Sequence, residues 1–165
     1  MSVKVIAELE TKLDRLFARV EPMPEDDIKA KLAEYLCIRT SGLLESVIKQ
    51  LVNEFLDGSI PQEANKYIVK KMQTVTNLTD DKLLKLLESF STDWEIEFKQ
   101  NVTAQEISSL NSIIHLRNGM AHGGSQSVSY RTVRAHYDNI KQIIARLKKI
   151  IAKQPKKAGK KQKVS

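Results

Sequence analysis

A chain of 165 residues is long enough to bury a core as a single domain without disulfides or structural metals. Few Gly (6) and Pro (4), with Ala, Leu, Ile, Lys, Glu and Gln abundant, favour helix over sheet, and a lone cysteine, Cys37, excludes an intramolecular disulfide and a cysteine-based zinc site. The net charge of +7 is concentrated in residues 141 to 165, which carry ten Lys or Arg and no acid, so that the 17 bases and 20 acids of residues 1 to 140 leave the body slightly acidic.

In chain order, Val5, Leu9, Leu13, Leu16, Phe17 and Val20 recur at spacings of three and four. They predict an amphipathic first helix that stops before "EPMPEDD", where Pro22 and Pro24 forbid continuation. From Asp26 to about Asp57 a long helix follows, with apolar positions from Ile28, Leu32, Tyr35 and Leu36 through Leu51 and Phe55, a possible kink at Gly42 and a stop at Gly58. The segment "SIPQEANKYIVKKMQT" restarts with Ser59 as cap and Pro61 near the first helical position. "NLTDDKLLKLLESF" is a helix capped by Thr79, with Asp80 and Asp81 at the positive end of its dipole, and "STDWEIEFKQN" reads as a short helix or a loop.

Thr103 and Glu106 form a capping-box pattern that opens a helix containing Ile107, Leu110, Ile113, Ile114 and Leu116, closed by Gly123 and Gly124. Ser127 or Ser129 caps the last helix, in which Val133, Tyr137, Ile140, Ile144, Leu147 and Ile151 make one stripe. These elements predict an all-α bundle of five to seven helices in a single domain, residues 1–152. Residues 153–165, "KQPKKAGKKQKVS", have almost nothing apolar to offset ordering entropy and are expected to be disordered. That tail is either a solubilising end or a grip on RNA phosphates through Lys156, Lys157, Lys160 and Lys161. With no apolar run of the roughly 18 residues a membrane span needs and no signal-like start, a reducing cytoplasm and no membrane partner are expected.

No Gly-rich phosphate loop, HExxH, EF-hand loop or GxSxG occurs. The three histidines, His115, His122 and His136, are seven and fourteen positions apart, too dispersed for a compact ligand set, so no metal or other cofactor is expected. What remains is "HLRNGMAHGG", residues 115–124, with Arg117, Asn118 and His122 within six residues. Arginine offers a fixed cationic fork that matches phosphate oxygens, and histidine exchanges a proton near neutrality. On RNA, such a pair can stabilise a pentacoordinate phosphorane while imidazole removes the 2′-hydroxyl proton, without a metal.

Residues five apart on an unbroken helix project about 140° from each other, so Arg117 and His122 cannot share a face. A helix end at Gly119 to Gly124 is expected to swing His122 back, while Asn118 and His122, four apart, can meet. The same three residues are also what a helix terminus favours by itself: a dipole partner, a surface cation and a polar end residue.

"RNGMAHGG" resembles the signature of the HEPN superfamily, an Arg followed by Asn, three residues and His at the end of a bundle helix. Upstream, "LAEYLCIRTSGLLESVIKQLVNEF" is similar to the long helix of the RiboL-PSP branch, and the likeness spans most of residues 25 to 150. The resemblance implies an up-and-down helical bundle that dimerises to bring two Arg/His motifs into one cleft. It also implies metal-independent RNA cleavage leaving a 2′,3′-cyclic phosphate and a 5′-hydroxyl, often in defence or toxin-antitoxin settings with a partner protein. Arg117 would then stabilise the phosphate in the transition state, His122 act as general acid/base, and Asn118 serve as the polar partner. The chain departs from the subset with a tyrosine three residues after the His, because Ser125 stands there.

Glu45 is a candidate to hold Arg117 or His122, against an ordinary half-buried or exposed acid. Arg131, Arg134 and His136 are candidates to line an RNA path, against a solvated helix face. Trp94 and Cys37 are expected to pack. Two functions stand: a homodimeric HEPN-type endoribonuclease, and a non-catalytic helical module binding RNA, a nucleotide or a protein.

Overall fold

The computed structural model describes residues 2–124 and 127–152. The described residues form seven helices and no strand: α1 (Ser2–Val20), α2 (Asp27–Leu56), α3 (Gln62–Met72), α4 (Asp80–Phe90), α5 (Thr92–Asn101), α6 (Ala104–Ala121) and α7 (Tyr130–Ala152). The segment "STDWEIEFKQN" is therefore helical. The lysine-rich tail from residue 153, and Ser125, lie outside the described residues. No described helix is long and apolar enough to cross a membrane.

Local chemistry explains most boundaries. The Asp26 carboxylate accepts hydrogen bonds from the Ile28 and Lys29 N–H groups at the start of α2, and Thr79 accepts from Lys82 N–H at the start of α4. Both bonds of the Thr103/Glu106 capping box are formed, and of the two serines offered for α7 it is Ser129 whose hydroxyl accepts from Thr132 N–H at 3.1 Å. Ser59 does not cap α3. Its hydroxyl donates back to the Leu56 carbonyl at 2.9 Å, finishing α2 beside Gly58 at φ +67°, and α3 opens on Pro61 with no side-chain cap. The Leu56 carbonyl at the end of this 30-residue helix accepts both the N–H and the hydroxyl of Ser59, which keeps that hydroxyl from the next helix. Helix α2 runs through Gly42 without a break.

Helix α2 is central, packing against α1, α6, α7 and α3, while α4 and α5 pair and rest on α6 and α7 respectively. It can do so because Leu36, Cys37, Leu43, Leu44, Val47, Ile48 and Leu51 recur at helical spacing and are all buried. Ile28 and Tyr35, expected on that face, are 68% and 45% exposed. On α1, Ile6 with Leu13, Phe17 and Val20 is the buried stripe, and Val5, one position earlier and about 100° round the helix, is exposed.

Phe17 stacks on Tyr137 with centroids 4.3 Å apart and ring planes 3° from parallel, and the two hydroxyls of α7 fasten α1: Tyr137 to Asp14 at 2.7 Å, Tyr130 to the Phe17 carbonyl at 3.1 Å. Burying an aromatic or leucine side chain stabilises by roughly 1.5–3 kcal/mol, so this seam contributes strongly to closing the bundle. Trp94, as expected, packs: it is buried, edge-on to Phe55 at 4.7 Å. Cys37 is buried too, and burial pushes its thiol up to about 11, leaving it unreactive near neutrality.

Candidate functional site at the end of α6

Helix α6 carries the motif, and its C-terminus sets where each residue points. His122 is the C-cap, with its N–H bonded to the Asn118 carbonyl. Gly123 follows at φ +72°; its N–H bonds to the Met120 carbonyl at 3.2 Å, and the Gly124 N–H bonds to the Gly119 carbonyl at 3.1 Å. This pair of bonds is the Schellman arrangement, which needs a left-handed residue just after the cap. Gly124 is constrained as well, because a Cβ there would come within 3.0 Å of the Gly119 carbonyl oxygen.

The glycines act one residue too late to reorient His122. The helix continues to Ala121, so the expected swing back towards Arg117 does not occur. At about 100° per residue, Arg117 lies on the face that Glu106, Leu110 and Ile113 bury, while His115 and His122 lie within about 20° of each other on the opposite side. Both histidines are exposed, and the His122 imidazole has no hydrogen-bond partner among the described residues. Asn118, half-buried, sits about 40° from His122 on that same side. One protomer therefore brings Asn118 and His122 together and keeps Arg117 apart from them.

Arg117 is held from a direction that residue spacing does not reveal. Its Nη1 donates to the side-chain oxygen of Asn77, in the loop between α3 and α4. Asn77 is the one non-glycine with positive φ among the described residues, +52°, a conformation asparagine tolerates better than most. Its own N–H donates to Glu45 Oε1 at 2.9 Å, and its carbonyl accepts from Thr79 N–H at 2.8 Å. Just beyond, Asp80 N–H donates to Asn111 Oδ1 at 3.1 Å. Glu45 thus touches neither Arg117 nor His122; it fixes the loop residue that fixes Arg117.

Arg117 also lines an open groove of about 370 Å³ between α1, α2 and α6. Leu9, Leu13, Ile38 and Leu43 form its apolar wall, Gly42 leaves it unfilled, and Arg39 adds a second guanidinium. Arg131 and Arg134 line a different cavity, near the start of α7, together with Glu21, Glu25, Lys29 and Tyr130. Arg134 is paired there with Asp138 at 3.2 Å, and Lys29 with Glu25 at 2.6 Å, so carboxylates offset much of that positive charge. His136 is half-buried with Nδ1 3.0 Å from the Ser109 hydroxyl, and burial lowers its pKa, which favours the neutral ring at pH 7. Among the described residues no three His, Cys, Asp or Glu side chains gather as metal ligands would.

Asn77 and Arg39 are the two site residues that pattern reading passes over. An Asn in the polar turn "TVTNLTD" is a recognisable candidate for positive φ, but its contact with a residue 40 positions away has no local signal. No curated protein and no solved structure matches the chain significantly. The model of the RiboL-PSP-HEPN family matches residues 4–153, taking in all of α2, the Asn77 loop and the Arg117–His122 motif, and on that match the chain belongs to the RiboL-PSP-HEPN family.

Proposed function

We propose that the chain is a metal-independent endoribonuclease of HEPN type, active as a homodimer in the cytoplasm. Family membership supports a ribonuclease-like domain, and one observation carries the finer reading. Arg117 is braced by a neutral amide oxygen and pairs with no carboxylate among the described residues, and it stands five residues before an exposed imidazole, His122, that has no hydrogen-bond partner among them.

In the reaction, His122 takes the 2′-hydroxyl proton as O2′ attacks phosphorus, and the bond from phosphorus to O5′ breaks. The leaving O5′ takes up a proton, from an imidazolium or from water, giving a 2′,3′-cyclic phosphate and a 5′-hydroxyl. Arg117 stabilises the charge that builds on the non-bridging oxygens. Asn118, on the same side of α6 as His122, is the polar partner of the motif. Arg131 and the tail residues Lys156, Lys157, Lys160 and Lys161 add sequence-independent contacts to RNA phosphates. A toxin or defence role, with a second protein restraining the activity, fits a nuclease of this kind, and expression of the wild type would then arrest growth only with the motif intact.

The test is digestion of single-stranded RNA by the purified chain in EDTA, with the product ends identified. Wild type leaves cyclic phosphate and 5′-hydroxyl ends, and Arg117→Ala and His122→Ala each lose at least about 100-fold in rate, the low end of what a general acid/base contributes, with an unchanged helical spectrum. Cleavage that needs a divalent metal, or that survives both substitutions, ends the reading.

The separation of Arg117 from His122 within one protomer favours a second reading, a non-catalytic module that binds RNA, a nucleotide or a protein. It predicts salt-sensitive binding with no product, weakened alike for every RNA when residues 154–165 are removed.

A further inference from the structure

Gly42 occupies the middle of α2, where glycine is destabilising by roughly 0.5–1 kcal/mol relative to alanine. Nothing among the described residues requires it: a Cβ at Gly42 would meet none of their atoms within 4 Å. Its backbone φ is an ordinary helical one, so no turn requires it either. What the missing side chain does is keep open the groove between α1, α2 and α6.

The chemistry of that groove is two-sided. Its wall is leucine and isoleucine, with Ile38 43% exposed, while two arginines, Arg39 and Arg117, line it and no carboxylate does among the described residues. Neither arginine is in an ion pair among the described residues. Arg117 is braced by the Asn77 amide, and Arg39 by the phenol of Tyr35, its Nη1 3.0 Å from that oxygen and its guanidinium 5.8 Å from the ring centre. A volume of about 370 Å³ falls in the lower part of the range for small-ligand sites, roughly 300–1,000 Å³. An occupant with a flat apolar body and an anion attached to it matches both sides, and a nucleotide of a single RNA strand is such a body.

The geometry points to the groove as a nucleotide subsite for single-stranded RNA: one base lies against Leu9 and Ile38 over Gly42, above the buried Leu13 and Leu43, and Arg39 pairs with the phosphate next to the one held by Arg117. Base contact of this kind is tolerant of sequence, because each base presents a flat face. The phosphate contact is electrostatic and salt-dependent. The proposal rests on the ribonuclease reading for its choice of RNA, but binding can be measured without cleavage, so the two can fail separately.

The experiment measures the affinity of the full chain for a fluorescent 2′-O-methyl oligoadenylate, which lacks the attacking hydroxyl, by anisotropy across a salt series. Gly42→Leu, whose side chain extends into open space, is expected to weaken binding at least tenfold while the helical spectrum is retained. Arg39→Gln is expected to weaken binding and to lower the slope of log affinity against log salt by about 0.7, the value of one single-strand phosphate contact.

Wild-type affinity and slope in both variants would overturn the subsite. So would an effect of Gly42→Leu on sedimentation alone, which would make the groove a contact between copies of the chain. Cleavage that persists while both variants bind as wild type would reject the subsite and leave the nuclease standing. Uncleaved RNA with both binding losses present would do the reverse.

Discussion

Asn77 carries two demands in one side chain and one backbone position. Its left-handed φ of +52° lets its N–H reach Glu45 from the turn, and its amide oxygen then faces Arg117. Asn77→Gly preserves the backbone and deletes the oxygen, so stability measured by urea unfolding should stay within a few tenths of a kcal/mol while single-turnover RNA cleavage falls by about ten- to a hundredfold, the effect expected of a misplaced catalytic group. Asn77→Ala should lose the rate and, in addition, about 1 kcal/mol of stability, because alanine tolerates a left-handed φ less well than asparagine does. Equal rates for Asn77→Gly and wild type would reduce the Arg117 contact to a surface tie. Arg117 and His122 stand out in the sequence as a candidate pair through their residue chemistry together with the resemblance to the HEPN signature. The bracing of Arg117 does not, because the Glu45–Asn77–Arg117 chain joins α2, a loop and α6 through contacts 32 and 40 residues apart in sequence.

Helix α6 shows how one element is fixed at both ends by different physics. At its start, Glu106 closes the capping box on Thr103 N–H and also accepts two hydrogen bonds of 2.8 Å from Arg146 of α7. Those Arg146 bonds, aided by Thr103 and opposed by burial, hold the Glu106 carboxyl below its usual range. A carboxyl lowered on folding contributes stability that is present above its unfolded value of about 4.3 and is lost as pH falls through the folded value. Urea midpoints should therefore favour wild type over Glu106→Gln at pH 7, and the gap should narrow as pH drops below about 4; a gap constant with pH would show that the charge contributes nothing. At the other end, Gly123→Ala should destabilise by about 1–2 kcal/mol, since an L side chain is strained in the left-handed cap. The capping box and the glycine stop were readable because both are local patterns of three to four residues. The Arg146 partner, the role of Ser59 and the exposure of Val5, Ile28 and Tyr35 were not, because each depends on which neighbour claims a group or on the angle at which a helix meets the core.

At the scale of the whole molecule, the unresolved distance is the one between the two halves of the motif. Arg117 lies on the buried face of α6 and His122 on the exposed one, so a single protomer cannot apply both to one phosphate without rebuilding the end of the helix. In the proposed two-fold dimer the contact would have to take in both the His122 side of α6 and the groove beside Arg117, so that the imidazole of one chain reaches the guanidinium of the other. This arrangement has a consequence that a site formed within one chain does not share. Arg117→Ala and His122→Ala are each inactive alone, but when the two are mixed and allowed to exchange subunits, half of the dimers are mixed and each of those holds one complete Arg/His pair out of two. Cleavage should recover to about a quarter of the wild-type rate at equal total protein. A site built within each chain gives no recovery at any mixing ratio, since every copy lacks one of its two groups. Recovery that grows with exchange time and vanishes on dilution below the dimer dissociation constant would locate the missing half of the site in the second copy.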